Sequence, residues 1–458
     1  MDFTHVRQSI PMKRNLRRHI GTAGAFMLLA ATALAQNGAP GKFPPPPSQS
    51  RPPGKLAPPP QGQPPQGQPP HGQPPHGQPP HGQPPHGQPP QPPAPQVGGP
   101  LAGLTAAELA AYNAGKDEFL NVETPESGLG PIFNNVSCVS CHARPAPGGT
   151  SAVFVTRFGR TVNGVFDPLE SLGGSLLQEK AIDPAVREHI PREANTIAHR
   201  QTPPLFGLGL IEAIPDATLQ GLALRPAVDG ITGKAAIITD VATGTQRIGR
   251  LGMKNQHASI LGFSADAYLN EMGITNRFFP HENAPNGNAA LLAQFDKTID
   301  PEDAVNPLTN RSDIDTVADF QRLLAPPKPR PFTAKALAGQ KLFTDIGCAI
   351  CHVPQLMTGA SPIAALNNKP VNLYSDLLLH DMGALGDGIA QSAATAREMR
   401  TTPLWGLHQR RTYLHDGRAP TMDAAIRGHD GQGKAARDRY SKLSATDSAA
   451  LLEFLGSL

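Results

Sequence analysis

Cys138-Val139-Ser140-Cys141-His142 recurs once, as Cys348-Ala349-Ile350-Cys351-His352, and the two copies use all four cysteines of the 458-residue chain. C-x-x-C-H is the pattern of covalent haem attachment. Each thiol adds across a haem vinyl group to form a thioether, and the adjacent histidine then reaches the iron as proximal ligand. Other uses of the cysteines fit less well. A thioredoxin-like redox pair requires no neighbouring histidine, and both copies have one. A zinc site of four thiolates would have to join the two pairs across most of the chain, with no compact knuckle around either. A disulfide closed within C-x-x-C would be strained. Two covalently bound haem c groups are therefore expected, attached through Cys138, Cys141, Cys348 and Cys351, with His142 and His352 on the irons.

Residues 1–35 read as a secretory signal. Lys13, Arg14, Arg17 and Arg18 precede an apolar run from Ile20 to Leu34, and Ala33-Leu34-Ala35 fits the cleavage pattern. The apolar run is shorter than the ~20 residues a membrane span needs, so no transmembrane anchor is expected after cleavage. Removing Arg7, Lys13, Arg14, Arg17, Arg18 and Asp2 takes the formal charge from +3 to about −1, which gives no reason to expect nucleic acid as a partner. A periplasmic or otherwise exported protein agrees with covalent haem attachment.

Residues 36–100 are expected to be a disordered linker rich in Pro, Gly, Gln and His. Six pentapeptides run from Gln61 to Pro90, four of them His-Gly-Gln-Pro-Pro, and such a tract cannot bury a core. Its histidines, His71, His76, His81 and His86, are spaced so that they do not converge on a three-residue turn, which favours a solvated spacer over a metal site. Beyond it, Thr105 and Glu108 fit a capping box before a helix carrying Leu109, Tyr112 and Phe119. Thr333 is the matching cap before a helix from Ala334 through Phe343. Gly115 with Phe119 and Gly339 with Phe343 repeat one spacing, and Arg200-Gln-Thr-Pro is echoed by Arg400-Thr-Thr-Pro, as in an internal duplication. Ala235–Thr239 and Thr245–Ile248 around Gly244 fit a β-hairpin, Ala325–Pro329 an interdomain linker, and Ala445–Leu455 a last helix capped by Ser444.

A haem iron also has a sixth position, whose ligand separates an electron-transfer centre from a reactive one. Met422, Ile426 and His429 fall on one helical stripe, so His429 is the candidate ligand of the second haem, with Met422 in reserve. The competing use of His429 is capping a helix C-terminus before Gly431. His199 and His257 are weaker candidates for the first haem.

Cys348–His352, Thr402-Pro403, His415-Asp416-Gly417 and Thr421 to His429 resemble the C-terminal half of bacterial di-haem cytochrome c peroxidases. Gly207–Glu212, Gly249–Gly252 and Glu271–Thr275 bring residues 101–458 closer still to the related di-haem oxidoreductase family. The resemblance implies an all-α fold of two cytochrome c-type haem domains with long loops, at 101–325 (with insertions) and 326–458. It implies a C-terminal haem that accepts electrons, with His429 at the distal methionine position, and a reactive N-terminal haem. At that haem Glu271-Met272 matches the catalytic glutamate of the peroxidases, which moves a proton during peroxide cleavage; without the resemblance, Glu271 reads equally as a solvated loop carboxylate. Two departures stand out: Met253 replaces the interhaem tryptophan, and Phe263 a distal glutamine. The resemblance further implies Ca2+ near Thr401–Pro403, a small donor protein of cytochrome or cupredoxin type, a small oxidant such as hydrogen peroxide, and a homodimer. The expected function is a peroxidase-like di-haem oxidoreductase. The alternatives are a non-catalytic electron-transfer protein, or an oxidase or dehydrogenase acting on a sulfur compound or a protein side chain.

Overall fold

A computed structural model describes residues 97–458, so the expected leader and nearly all of the expected linker lie outside the described residues. Helix α1 (Ala106–Leu120) starts as the capping box requires: Thr105 Oγ1 accepts the Glu108 N–H at 3.2 Å, and the Glu108 carboxylate accepts the Thr105 N–H at 2.7 Å. Tyr112, Gly115 and Phe119 form its buried stripe. Helix α2 (Ile260–Met272) is capped by Ser259 and closed by Gly273 at φ 68°, a conformation glycine takes at little cost. Helix α3 (Asp313–Leu323) packs on α1, with Phe119 and Phe320 ring centroids 4.8 Å apart.

The second half repeats this pairing. Helix α4 (Ala334–Asp345) follows Thr333, whose hydroxyl accepts the Ala336 N–H at 3.0 Å. Helix α5 spans Met422–Arg427, and helix α6 (Ala445–Leu455) begins at Ser444 and packs on α4. Both pairs cross at a glycine. A Cβ at Gly115 would overlap the Thr316 carbonyl oxygen, and one at Gly339 the Ala450 carbonyl oxygen. The close approach delivers Phe119 and Phe343 to the two motif histidines: each phenylalanine ring lies 6.3 Å from its imidazole, tilted 57° at His142 and 55° at His352. Two main apolar clusters result, one around Phe119, Phe206, Tyr268 and Phe320, the other around Phe343, Tyr374, Leu451 and Phe454.

The fold is not all-α. Over the described residues it is mixed, 34% helical and 17% strand. Strand β1 (Phe154–Val162) lies between β2 (Val165–Asp167) and β3 (Thr196–Gln201), antiparallel to both. Strands β4 (Ala236–Asp240) and β5 (Thr245–Gly249) form a hairpin through Gly244 at φ 66°, close to the expected bounds. The long connections between haem helices are too buried to leave their amides unpaired, so they pair as short ladders. In the middle of β1, Thr156 and Phe158 are buried on one face while Val155 and Arg157, on the other, are only partly covered. Among the described residues no helix is long and apolar enough to cross a membrane.

The glycine crossings give a direct test. Gly339→Ala is expected to destabilise the haem-loaded protein by about 1–3 kcal/mol, as overpacking does. Gly221→Ala, in a helix with open space around it, is the control and should be neutral or stabilising. Thermal melting of the two variants compares them.

Candidate functional site

The second motif opens a cavity. Cys348 follows Gly347 at φ 91°, and the His352 N–H returns to the Cys348 carbonyl at 2.9 Å. The His352 Nδ1–H donates to the Tyr374 carbonyl at 2.9 Å, which directs Nε2 away from the backbone. His429, just past α5, is held alike: its Nδ1–H donates to the Ala425 carbonyl at 2.8 Å. The two rings face each other across the cavity with centroids 6.5 Å apart and planes at 62°. Desolvation pushes the His352 pKa down to about 4, with the neighbouring His429 adding to the effect, and burial lowers His429 as well, so both imidazoles are neutral. Phe343, Leu404, Leu407, Leu414, Ile426 and Leu451 line the cavity with them. Two metal–nitrogen bonds of about 2 Å each, plus the ring radii, fill such a separation. A flat apolar macrocycle with a central iron therefore fits the donor set and the lining. Met422 lines the same cavity, as does Met253.

The first motif is built differently. Cys138–Cys141 is a single turn capped by Ser137, and the His142 N–H bonds the Cys138 carbonyl at 2.9 Å. The His142 Nδ1–H donates to the Gly149 carbonyl at 3.1 Å, and desolvation pushes its pKa down to about 4. The donor set again fits a haem held by two thiols with a neutral imidazole beneath it. What stands near it is a carboxylate. Glu271, in the last turn of α2, accepts the Asn134 and Asn135 N–H groups on its carbonyl at 2.8 and 3.1 Å. Its Oε2 accepts the Asn134 Nδ2–H at 2.9 Å, while the Asn135 Nδ2–H points at Cys141 Sγ at 3.5 Å. Glu271 is thus fastened to the haem loop across a sequence separation of 137 residues. Desolvation raises its pKa to about 7, against the pull of Asn134 and of the Arg157 guanidinium.

His199 is exposed, with its Nδ1 3.3 Å from Thr156 Oγ1. His257 stacks on Phe263 at 4.9 Å and puts Nε2 3.4 Å from Asp266 Oδ2. The Thr401 carbonyl accepts the Ser375 hydroxyl at 2.6 Å. Among the described residues, the acid, His and Cys groups close enough to share a metal are Cys351, Asp376 and His380, and Glu282, Asp300 and Glu302; neither includes Thr401–Pro403.

Several residues of the two sites escaped sequence reasoning. Asn134 and Asn135 lie four and three residues before Cys138, and that proximity was the available signal. Arg157 sits on a strand in a stretch that the sequence reading left unassigned. Arg400 opens the repeated Arg-x-Thr-Pro element, and Arg410 carries no pattern at all.

The family model described as "Di-haem oxidoreductase, putative peroxidase" matches residues 178–458. The chain belongs to that family. The match contains Glu271, Cys348–His352 and His429, and begins downstream of the first motif. Membership makes the chain a haem-dependent oxidoreductase by family. Among solved structures, hydrazine synthase from Kuenenia stuttgartiensis is similar at 15% identity over 78% of this chain and 90% of that one, with a TM-score of 0.37. The diheme peroxidase BthA from Burkholderia thailandensis is similar at 14% identity over 76% and 86%, with a TM-score of 0.35. No curated protein matches.

The raised pKa of Glu271 has a consequence for stability. The folded protein keeps this proton above the ordinary value of 4.5, whereas the unfolded chain releases it. Stability therefore falls as pH rises from about 4.5 to about 7. Glu271→Gln should flatten that part of the profile, read from urea midpoints of the haem-loaded protein across the window.

Proposed function

We propose that this protein is an exported di-haem c oxidoreductase of peroxidase type, in which the second haem accepts electrons and the first reduces a small peroxide. The observation that carries this reading is the asymmetry of the two sites: two neutral imidazoles facing each other at 6.5 Å in the second, one imidazole and a carboxylate with a pKa of about 7 in the first. Cys138, Cys141 and His142 would hold one haem, and Cys348, Cys351, His352 and His429 the other. Bound there, haem c supplies an iron that exchanges electrons one at a time and, where a coordination position is open, binds peroxide.

The chain's own residues supply the rest. Desolvation keeps His142 and His352 neutral and the Gly149 and Tyr374 carbonyls orient them, so each presents Nε2 as a donor. Reduction of hydrogen peroxide consumes two electrons and two protons and yields two waters. Glu271 takes the proton from one peroxide oxygen and returns it to the departing one, a role suited to a carboxyl poised near neutrality. Asn134 occupies Oε2, which leaves Oε1 to carry the proton. The two electrons would come from a small cytochrome- or cupredoxin-type donor outside the cytoplasm. Calcium near Thr401–Pro403 and a homodimer complete the proposal, and chelation and sedimentation address them.

Glu271→Gln is expected to lower peroxide turnover by about 10²–10⁴-fold with both haems retained. Undiminished turnover would remove Glu271 from the mechanism. His429→Ala should convert one low-spin haem to high spin, and an unaltered spectrum would refute its ligand role. Steady-state turnover of thiosulfate with none of peroxide would move the reading to a sulfur-compound oxidase.

A further inference from the structure

Two arginines of the second cavity have no part in the reading above. Arg400 and Arg410 both line it. Arg400 Nε–H donates to the Gly252 carbonyl at 2.7 Å, yet its Nη1 is cut off from solvent with no hydrogen-bond partner. The two most deeply buried arginines are each ion-paired, Arg200 with Asp387 and Arg250 with Asp216. Among the described residues no carboxylate pairs with Arg400 or Arg410. Desolvation pushes Arg400 down to about 10, and the charge acting on it besides is that of Arg410; Arg410 is lowered by desolvation, opposed by Tyr413 alone.

Two desolvated cations side by side, without a counter-charge, are strongly unfavourable. A guanidinium presents a planar fork of N–H donors that matches a carboxylate. The cavity they line is the one where Cys348, Cys351, His352 and His429 converge, and haem c is a dicarboxylate. We infer that Arg400 and Arg410 bind the propionate carboxylates of the haem held at Cys348–His352, an inference that rests on the haem reading of this cavity.

The consequence is electrostatic and positional. Fixed positive charge at the porphyrin edge favours the reduced iron and so raises the potential of this haem, against the lowering effect of a second imidazole. Arg400 does one thing more. Its backbone N–H donates to the Met253 carbonyl at 3.0 Å, and its Nε–H holds Gly252, so the propionate edge is tied to the turn that carries Met253 along the cavity wall. Arg410 has no such tie, which makes its variant the cleaner probe.

The experiment is a spectroelectrochemical titration of the haem-loaded protein, with haem content counted per chain. Arg410→Gln should shift the potential of the low-spin second haem downward and leave that of the first haem unmoved. Arg410→Lys should recover part of the shift, and Arg400→Gln should lower the same potential. Unchanged second-haem potentials in both glutamine variants would overturn the inference, as would potentials that differ between wild type and these variants only after phosphate is added, which would assign the pair to a free anion. Fewer than two haems per wild-type chain, or no low-spin centre, would instead overturn the haem reading on which the inference rests.

Discussion

Both motif histidines depend on one arrangement: an Nδ1–H fixed on a backbone carbonyl, with a phenylalanine tilted against the ring at 6.3 Å. The carbonyl sets the tautomer, so Nε2 is the atom left to donate. The phenylalanine comes from a capped helix that crosses its partner at a glycine. Without the glycine the helices could not approach closely enough, and the ring would be lifted from the imidazole. Most of the helical framework can be traced to this requirement, met twice with different residues.

Within that shared frame the two sites diverge. In one, His429 stands opposite the motif histidine; in the other, a carboxylate is fastened to the motif loop by Asn134 and Asn135. The repeated arginines also cross over. Arg200 reaches Asp387 in the later part of the chain, where Lys254 joins at 2.9 Å, and Arg400 reaches back to Gly252. Each half therefore contributes a cation to the other's surroundings.

The helices and caps were legible because local chemistry decides them. Thr105 with Glu108, Thr333 and Ser444 all cap as expected, and the hairpin around Gly244 is where alternation put it. The all-α expectation failed because the resemblance to cytochrome domains spoke for the helices and left the long connections without an assignment. Phe154–Val162 carries a readable strand pattern that was passed over. Arg157, Arg400 and Arg410 were out of reach for another reason: whether a buried arginine has a counter-charge depends on tertiary neighbours, and no spacing in the sequence encodes it.

The central claim is that the two haem sites differ in their sixth position. EPR-monitored redox titration of the wild-type, haem-loaded protein, with and without cyanide, tests it most directly. The account predicts one low-spin centre with the signature of two imidazoles and inert to cyanide, and one centre that binds cyanide. Two low-spin centres, neither responding to cyanide at any potential, would contradict it.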